Sequence, residues 1–240
     1  MSLPQEFIST GVECLDDILG GGFPFGCLSL IFGESGTGKT TLAMQCAVNY
    51  VKDGHSAIYV DSNGEFSLDR LSQVALRDLR LVAPLIMVFS PRTFQRQSEI
   101  IDTLEKFISP KIRLIIFDTI SSLYRLELAD RRKTFSLNRQ MNRQLASLTE
   151  TAKAKGIAVL LTSQVRSVLE DKQTHGRQPI EPVAARLLEF WPDLILCLRS
   201  TNNPSIKRAD LMKPRHLGSV PSSCLLKLTD SGIQGSLKAS

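Results

Sequence analysis

The segment that most restricts the fold lies at residues 33–40, which read Gly-Glu-Ser-Gly-Thr-Gly-Lys-Thr and fit the pattern G-x-x-x-x-G-K-[ST]. It follows the apolar run Cys27 to Phe32 directly, and a helical pattern begins near Lys39. In this context glycines let backbone N–H groups turn inward around phosphate oxygens. Lys39 supplies a cation for the β and γ phosphates, and the Thr40 hydroxyl is a ligand for Mg²⁺. The expected nucleotide-binding residues of this loop are Gly33, Glu34, Ser35, Gly36, Thr37, Gly38, Lys39, Thr40 and Thr41.

Short runs rich in Ile, Val and Leu recur between segments with helical spacing. The runs do not alternate between apolar and polar residues, which is typical of strands buried on both faces of a parallel sheet. They are Cys27 to Phe32, Ala57 to Val60, Leu85 to Phe89, Ile112 to Phe117 and Ile157 to Leu161. The helical segments are Leu42 to Val51, Leu68 to Leu79, Ile100 to Ile108 and Leu137 to Ala152. The alternation predicts an α/β fold, with a mostly parallel twisted central sheet flanked by helices and joined by right-handed crossovers.

The pattern changes after Ser163. A polar stretch is followed by a predicted strand at Leu194 to Arg199 and by a pair of strands around Ser222 to Leu228 and Gly232 to Leu237. The last pair is close enough in sequence to be antiparallel, and we place it at the C-terminal edge of the sheet. The chain has no tandem repeat and no linker-like tract, so residues 1–240 are predicted to form a single domain.

A second chemical element is the buried run Leu114 to Phe117, which ends in Asp118. A carboxylate at the carboxyl edge of a parallel sheet can hold the water shell of Mg²⁺. Asp118 and Thr40 are therefore the predicted metal-binding residues. The alternative is that Asp118 only caps the helix that follows, together with Thr119 and Ser121.

Composition excludes several classes of protein. At 42% hydrophobic and 22% charged residues the chain resembles soluble globular domains, and its apolar runs are well short of the ~20 residues that a membrane helix needs. The five cysteines are far apart and form no C-x-x-C pair, which suits a reducing compartment and argues against a zinc site. A net charge of +5 tolerates a polyanionic partner but does not demonstrate one.

Several motifs occur in a fixed order along the chain. Ser9-Thr10-Gly11 precedes the phosphate loop, and Tyr59-Val60-Asp61-Ser62-Asn63-Gly64-Glu65-Phe66 and Thr162-Ser163-Gln164-Val165 follow it. In this order the chain resembles the RecA and RadA recombinase ATPases over nearly its whole length, and most of all the short archaeal paralogues of RadA. The resemblance implies a RecA-like core without a separate N-terminal DNA-binding domain, with ATP and Mg²⁺ as cofactors. It also implies a cytoplasmic, nucleoid-associated protein.

The resemblance assigns roles to two further side chains. Gln164 stands where the family senses the γ-phosphate, and Arg70 stands where the family stacks a cationic plane on adenine. An amide can report on a phosphate oxygen by hydrogen bonding, and a guanidinium stacks well on flat rings. The alternatives are a polar residue at a strand edge for Gln164 and a solvated helix face for Arg70.

The chain departs from the active recombinases at two positions. Asn63 stands where those enzymes carry the catalytic glutamate, and an amide can orient water but cannot accept its proton. Glu65, two residues on, is the candidate replacement, because residues i and i+2 of a strand share a face. Phe190 stands where the filament enzymes have a histidine that reaches the neighbouring subunit's nucleotide. We therefore expect slow hydrolysis that DNA hardly stimulates.

The resemblance also predicts a first DNA loop between Tyr124 and a helix starting near Thr134. The cations that it supplies are Arg125, Arg131, Arg132 and Lys133, followed by Arg139 and Arg143 on the helix. Such a cluster suits phosphate contacts with little sequence preference, although a solvated basic helix face is the alternative. A second loop, Arg166 to Glu181, has balanced charges. A later basic group consists of Arg199, Lys207, Arg208, Lys213 and Arg215.

The resemblance implies an accessory factor in DNA repair and homologous recombination. Its partners would be DNA, a RadA-type recombinase and Holliday-junction-processing enzymes, with no membrane contact. The N-terminus offers Phe7-Ile8-Ser9-Thr10 in place of the family's Phe-x-x-Ala polymerisation motif. This favours a small homo-oligomer, or a cap on another protein's filament, over a stable filament of this chain. Two rival functions remain: an active DNA-dependent ATPase and strand-exchange recombinase that uses Glu65, and a KaiC-like signalling ATPase. A small-molecule kinase is disfavoured because no lid segment is evident.

Overall fold

The computed structural model describes residues 6–128, 131–167, 180–214 and 223–236. The strands in these ranges are β1 (Phe7–Ile8), β2 (Phe23–Pro24), β3 (Cys27–Gly33), β4 (Ser56–Asp61), β5 (Ile86–Phe89), β6 (Ile112–Asp118), β7 (Ala158–Ser167), β8 (Ile180–Pro182), β9 (Leu194–Ser200), β10 (Ile206–Lys213), β11 (Ser223–Thr229) and β12 (Gly232–Gly235). The α-helices are α1 (Glu13–Leu19), α2 (Lys39–Lys52), α3 (Leu68–Ala75), α4 (Leu79–Val82), α5 (Phe94–Thr103), α6 (Ser122–Glu127), α7 (Thr134–Lys155) and α8 (Ala185–Phe190). None of these helices combines the length and apolarity that crossing a bilayer requires.

The central sheet has the strand order β12-β11-β10-β9-β3-β7-β6-β4-β5. The pairings from β9 to β5 are all parallel, whereas β10, β11 and β12 continue the sheet as antiparallel strands. β8 pairs with β7, and β1 with β2 forms a separate small sheet. The predicted α/β architecture with antiparallel strands at the C-terminal end is confirmed.

The register brings the functional strand ends together. Gly33 at the end of β3 pairs with Gln164 on β7, and Asp61 at the end of β4 pairs with Asp118 at the end of β6. In parallel sheets the carboxyl ends of strands lie at one edge, which is where ligands bind in α/β proteins. The motifs that are separated in sequence therefore share one edge of the sheet.

Each face of the sheet is covered by helices. One hydrophobic cluster packs α1, α2 and α3 against the sheet, with Leu15, Leu42 and Leu71 fully buried. The other packs α5, α6 and α7 on the opposite face, with Met141 and Leu145 fully buried. Burial of apolar area at ~25 cal/mol per Å² makes these two layers the main stabilising contribution to the fold.

Two details of the predicted sheet are wrong. The run Leu85 to Phe89 was expected to be buried on both faces, but β5 is the last strand of the sheet, and Met87 and Val88 are 39% and 38% exposed. Strand β10 was not predicted, because its Lys, Arg and Asp residues mask its alternation. It pairs with β9 and β11 all the same, and Ala209 lies fully buried between them.

The five cysteines are all reduced. Cys27, Cys46 and Cys197 are buried, as expected for small hydrophobic side chains, whereas Cys14 and Cys224 are only half-buried. Within the described residues, no group of His, Cys, Asp and Glu side chains is arranged to hold a metal ion by itself.

Candidate functional site

The phosphate loop connects the end of β3 to the start of α2. The Lys39 ammonium donates to the carbonyl oxygens of Gly33 and Glu34 at 2.9 and 2.7 Å, so the side chain folds back over the loop. Gly38 has a φ of +96°, and a Cβ there would lie 3.2 Å from the Ile233 Cδ1 atom. Only glycine adopts this conformation without strain while leaving the hairpin of β11 and β12 in contact with the loop.

Burial lowers the pKa of Lys39, and the nearby carboxylates of Asp118, Glu65 and Glu34 partly oppose this shift. A buried ammonium with a lowered pKa gains interaction energy when an anion arrives. The loop thus presents a desolvated positive charge where the sequence predicts the β and γ phosphates.

Asp118 accepts hydrogen bonds from three hydroxyl groups. Thr40 Oγ1 donates to Oδ1 at 3.3 Å, Thr162 Oγ1 donates to the same oxygen, and Tyr59 Oη donates to Oδ2 at 2.7 Å. Burial, reinforced by the Asp118 charge, raises the pKa of Tyr59 well above its usual value, so this phenol remains a donor. The two predicted metal-binding residues, Thr40 and Asp118, are in direct contact, and Asp118 is oriented by neighbouring strands.

A cleft of about 240 Å³ opens over the loop. Its walls include the loop, Thr119, Asn63, Glu65, Gln164 and Leu228. The Thr119 hydroxyl is buried and has no hydrogen-bond partner among the described residues. Because a buried polar atom without a partner is costly, this oxygen fits a site that is completed by an oxygen-rich ligand such as hydrated Mg²⁺. The donor set of Lys39, Thr40 and Asp118 fits a metal-bound triphosphate.

Asn63 and Glu65 both reach the cleft because the chain turns sharply after β4. Asp61 holds this turn: its Oδ1 accepts from the backbone N–H groups of Gly64 and Glu65 at 2.9 and 3.1 Å, and its Oδ2 accepts from Phe66 at 2.9 Å. Among the described residues that line the cleft, Glu65 is the carboxylate, and Asn63 and Gln164 are the two amides.

Arg70 and Gln164 belong to different elements, α3 and β7. Arg70 on α3 donates to Thr41 Oγ1 at 3.0 Å and to the backbone oxygen of Asp230 at 2.7 Å, so its guanidinium bridges α2 and the β11–β12 hairpin. Gln164 lines the cleft from β7. Thr37, which the motif also includes, donates its hydroxyl to the Glu34 oxygen at 2.8 Å and shapes the loop. Ser35 and Gly36 line the cleft.

The predicted DNA-binding cations lie around α6 and the start of α7. Arg125, Arg132 and Lys133 are exposed, and Arg131 belongs to the 3₁₀ turn Arg131–Lys133, although its side chain lies outside the described residues. Glu127, an acid of the same segment, accepts from the backbone N–H of Phe94 at 3.3 Å. The cations of this cluster whose side chains are described are thus exposed, and α6 follows closely after Asp118 at the end of β6.

The later basic group is largely engaged within the sheet. Arg199 and Arg208 both pair with Asp210, at 3.4 and 2.6 Å. Lys213 donates to three backbone oxygens at the end of α8 and just beyond it, the shortest at 2.6 Å to Pro192. Arg215 and most of the second predicted loop, residues 168–179, lie outside the described residues. Phe190 is exposed on α8 and packs edge-on against Trp191.

A family model described as Rad51 matches residues 5–234. The chain belongs to the Rad51 family. Among Rad51-family relatives, the DNA repair and recombination protein RadB of Methanococcoides burtonii is 32% identical over 236 residues, covering 98% of this chain and 100% of that protein. RadB of Archaeoglobus fulgidus is 34% identical over 233 residues, covering 97% and 100%. A crystal structure of the RadB recombinase covers 96% of this chain and 100% of that chain, with a TM-score of 0.77 and 29% identity.

The resemblance to the short archaeal paralogues of RadA is therefore confirmed, and within the Rad51 family the similarity is to RadB proteins. Sequence reasoning missed three contributors to the site: Tyr59, Thr162 and Leu228. The first two lie in motifs that the family resemblance had drawn attention to, and a search for hydroxyl groups near the ends of neighbouring strands would have found them. Leu228 lies in a run that also carries the resemblance, Leu228 to Ile233, but the sequence did not indicate that it reaches the cleft through the β11–β12 hairpin.

Proposed function

We propose that this chain is an ATP-binding accessory protein of DNA repair and homologous recombination. It binds DNA through sequence-independent phosphate contacts and assists a RadA-type recombinase, and it does not exchange strands itself. Hydrolysis of ATP is weak and hardly stimulated by DNA. Residues 1–240 act as one ATPase domain, which forms a small homo-oligomer and has junction-processing enzymes as further partners.

One observation carries the proposal: the cleft combines a complete phosphate and metal set with an amide at the position of the base. Lys39 would bind the β and γ phosphates, and Thr40 with Asp118 would hold Mg²⁺. When bound, the metal supplies charge neutralisation to the leaving phosphate oxygens. Asn63 orients water but takes no proton from it. The chain therefore retains positioning and loses most of the general-base contribution, which is typically 10²–10⁴-fold.

The role of Glu65 decides between the proposal and its rival, the active recombinase. Glu65 is exposed and lines the same cleft as Lys39. An exposed carboxylate on a turn is poorly oriented to act as a base. We therefore expect Glu65 to support slow hydrolysis of ATP and not rapid hydrolysis. Gln164 lines the cleft as well, where its amide can hydrogen-bond to a γ-phosphate oxygen.

The test measures ATP binding and hydrolysis on one preparation. Calorimetry with MgATP is expected to show binding that the Lys39→Ala variant loses, with Lys52→Ala on the same helix as the matched control. Steady-state hydrolysis should be slow and should rise less than tenfold on adding single-stranded DNA. Stimulation well above tenfold would favour the active recombinase, and DNA binding that is absent at every salt concentration would favour the signalling ATPase.

A further inference from the structure

Phe135 is an exposed aromatic ring beside the predicted DNA-binding cations. It is the second residue of α7, and 82% of its surface is accessible. Arg132 and Lys133, both exposed, precede it by three and two residues. A single exposed apolar side chain is common in proteins, so the ring alone carries no conclusion. The residues around the ring give it a more specific meaning.

A cleft of about 370 Å³ lies between α5 and α7, and Phe135 forms part of its wall. Amides and a hydroxyl form another part. Gln140 Nε2 donates to Ser98 Oγ at 2.8 Å and to Gln95 Oε1 at 3.2 Å, and Gln144 Nε2 donates to Ser98 Oγ at 2.6 Å. The cleft therefore offers one flat apolar face and a polar side that carries both donors and acceptors.

Positive charge borders the same cleft. Arg139 and Arg143 are in its wall, one and two turns after Phe135 on α7, and residues four apart share a helix face. Arg143 pairs with Asp102 at 2.8 Å. Neither Lys133 nor Arg139 takes part in an ion pair within the part of the chain that the structure describes. Among the described residues no carboxylate neutralises these two cations, so both can contact an anionic ligand.

We propose that Phe135 is a stacking platform for an unpaired nucleobase of single-stranded DNA. The base lies on the ring with its edge toward Gln95 and Gln140, while Lys133 and Arg139 contact the flanking phosphates. Base stacking on an exposed aromatic ring is how proteins bind single strands without sequence preference. Bases in a duplex have both faces covered, so the platform favours single strands over duplexes.

This inference rests on the proposed DNA binding and goes beyond it, because phosphate contacts alone treat both forms of DNA alike. The polar and cationic lining of the cleft fits a nucleotide better than an apolar protein segment. The platform also modifies the expectation from sequence, which assigned phosphate contacts to this cluster.

The test compares the parent chain with Phe135→Ala by fluorescence anisotropy on three probes: a labelled single strand, the duplex of the same length, and a single strand of the same length made of abasic sites. Phe135→Ala should weaken binding of the normal single strand about tenfold. It should leave the duplex and the abasic strand within about twofold, and the salt dependence unchanged, because no phosphate contact is lost. Phe135→Trp should keep the parent affinity.

Leu81→Ala is the matched control, since it removes another side chain that is 60% exposed, on α4. Thermal melting checks that both variants fold. If Phe135→Ala binds the single strand as the parent does, the platform is refuted and the proposed function stands. If it weakens all three probes equally, the ring does not read bases and the platform is likewise refuted. A parent chain that binds none of the probes would overturn both proposals.

Discussion

At the scale of single residues, the chemistry of the cleft depends on the pair Asn63 and Glu65. Both follow the turn that Asp61 fixes through three backbone N–H groups, and this turn brings both side chains to the cleft that contains Lys39. The turn therefore brings two side chains to the cleft, of which Glu65 can accept a proton and Asn63 cannot. Substitutions at Asn63 and Glu65 can test catalysis with little disturbance of the fold.

Asn63→Glu is expected to raise the rate of ATP hydrolysis by about tenfold or more, because it places a general base on a scaffold that already positions Lys39, Thr40 and Asp118. Steady-state phosphate release at saturating MgATP measures the effect. Asn63→Gln is the matched control, since it extends the side chain without a carboxylate, and it should stay at the parent rate. A parent rate that collapses in Glu65→Gln, with no gain from Asn63→Glu, would show that Glu65 is the working base.

The phosphate loop could be predicted residue by residue because its members are consecutive and its chemistry admits few alternatives. Asp118 could be predicted because a buried run ends in a single carboxylate. The partners of Asp118 could not, because Tyr59 and Thr162 come from two other strands and meet it only through the register of the sheet. The unpaired Thr119 hydroxyl is likewise visible only once burial is known.

At the scale of elements, the β11–β12 hairpin is part of the candidate site. Its Leu228 lines the cleft, and its Asp230 backbone oxygen holds Arg70. Gln45 on α2 fixes the hairpin to the phosphate-loop helix. Its Nε2 donates to the oxygens of Thr10 and Ile233 at 2.8 and 3.1 Å, and its Oε1 accepts from the Ile233 N–H at 2.7 Å. One buried amide thus joins three segments of the chain.

Gln45→Leu is expected to lower the free energy of unfolding by about 3 kcal/mol, because it leaves several buried backbone groups without partners at ~1–3 kcal/mol each. The same variant should bind MgATP more weakly, since the hairpin wall of the cleft loosens. Urea unfolding and calorimetry measure the two effects. Gln234→Leu is the matched control on the exposed face of β12, where the same change should alter stability by less than about 0.5 kcal/mol. Equal stability in both variants would contradict this role for Gln45.

The sequence predicts the parallel part of the sheet well, because continuous apolar runs indicate strands that are buried on both faces. It fails for β10, because a charged residue, Lys207, is buried on the same face of the strand as Ala209. It also misjudges β5, because an apolar run does not reveal which strand ends the sheet. The order of strands in the sheet, unlike the strands themselves, depends on contacts between residues that are far apart in the chain.

At the scale of the whole molecule, the cations that contribute to the net charge of +5 differ in their surroundings. Arg199 and Arg208 share Asp210, and Lys213 binds backbone oxygens beyond α8, so these cations are used within the fold. Arg132 and Lys133 are exposed at the start of α7. Composition could not distinguish these two groups, because the exposure of each cation depends on where the fold places it.

The dependence of DNA binding on salt tests this distribution. Each phosphate contact releases condensed counterions, so log K falls with log salt by about 0.7 for every contact to a single strand. Replacing both Arg132 and Lys133 by alanine should therefore reduce the slope by about 1.4. The affinity should fall for every sequence alike, since phosphates carry no sequence information. Replacing Arg77 and Arg80, which are exposed ahead of β5, removes the same charge elsewhere and should leave the slope at the parent value. A slope that falls equally in both double variants would mean that DNA responds to the overall charge of the molecule and not to the start of α7.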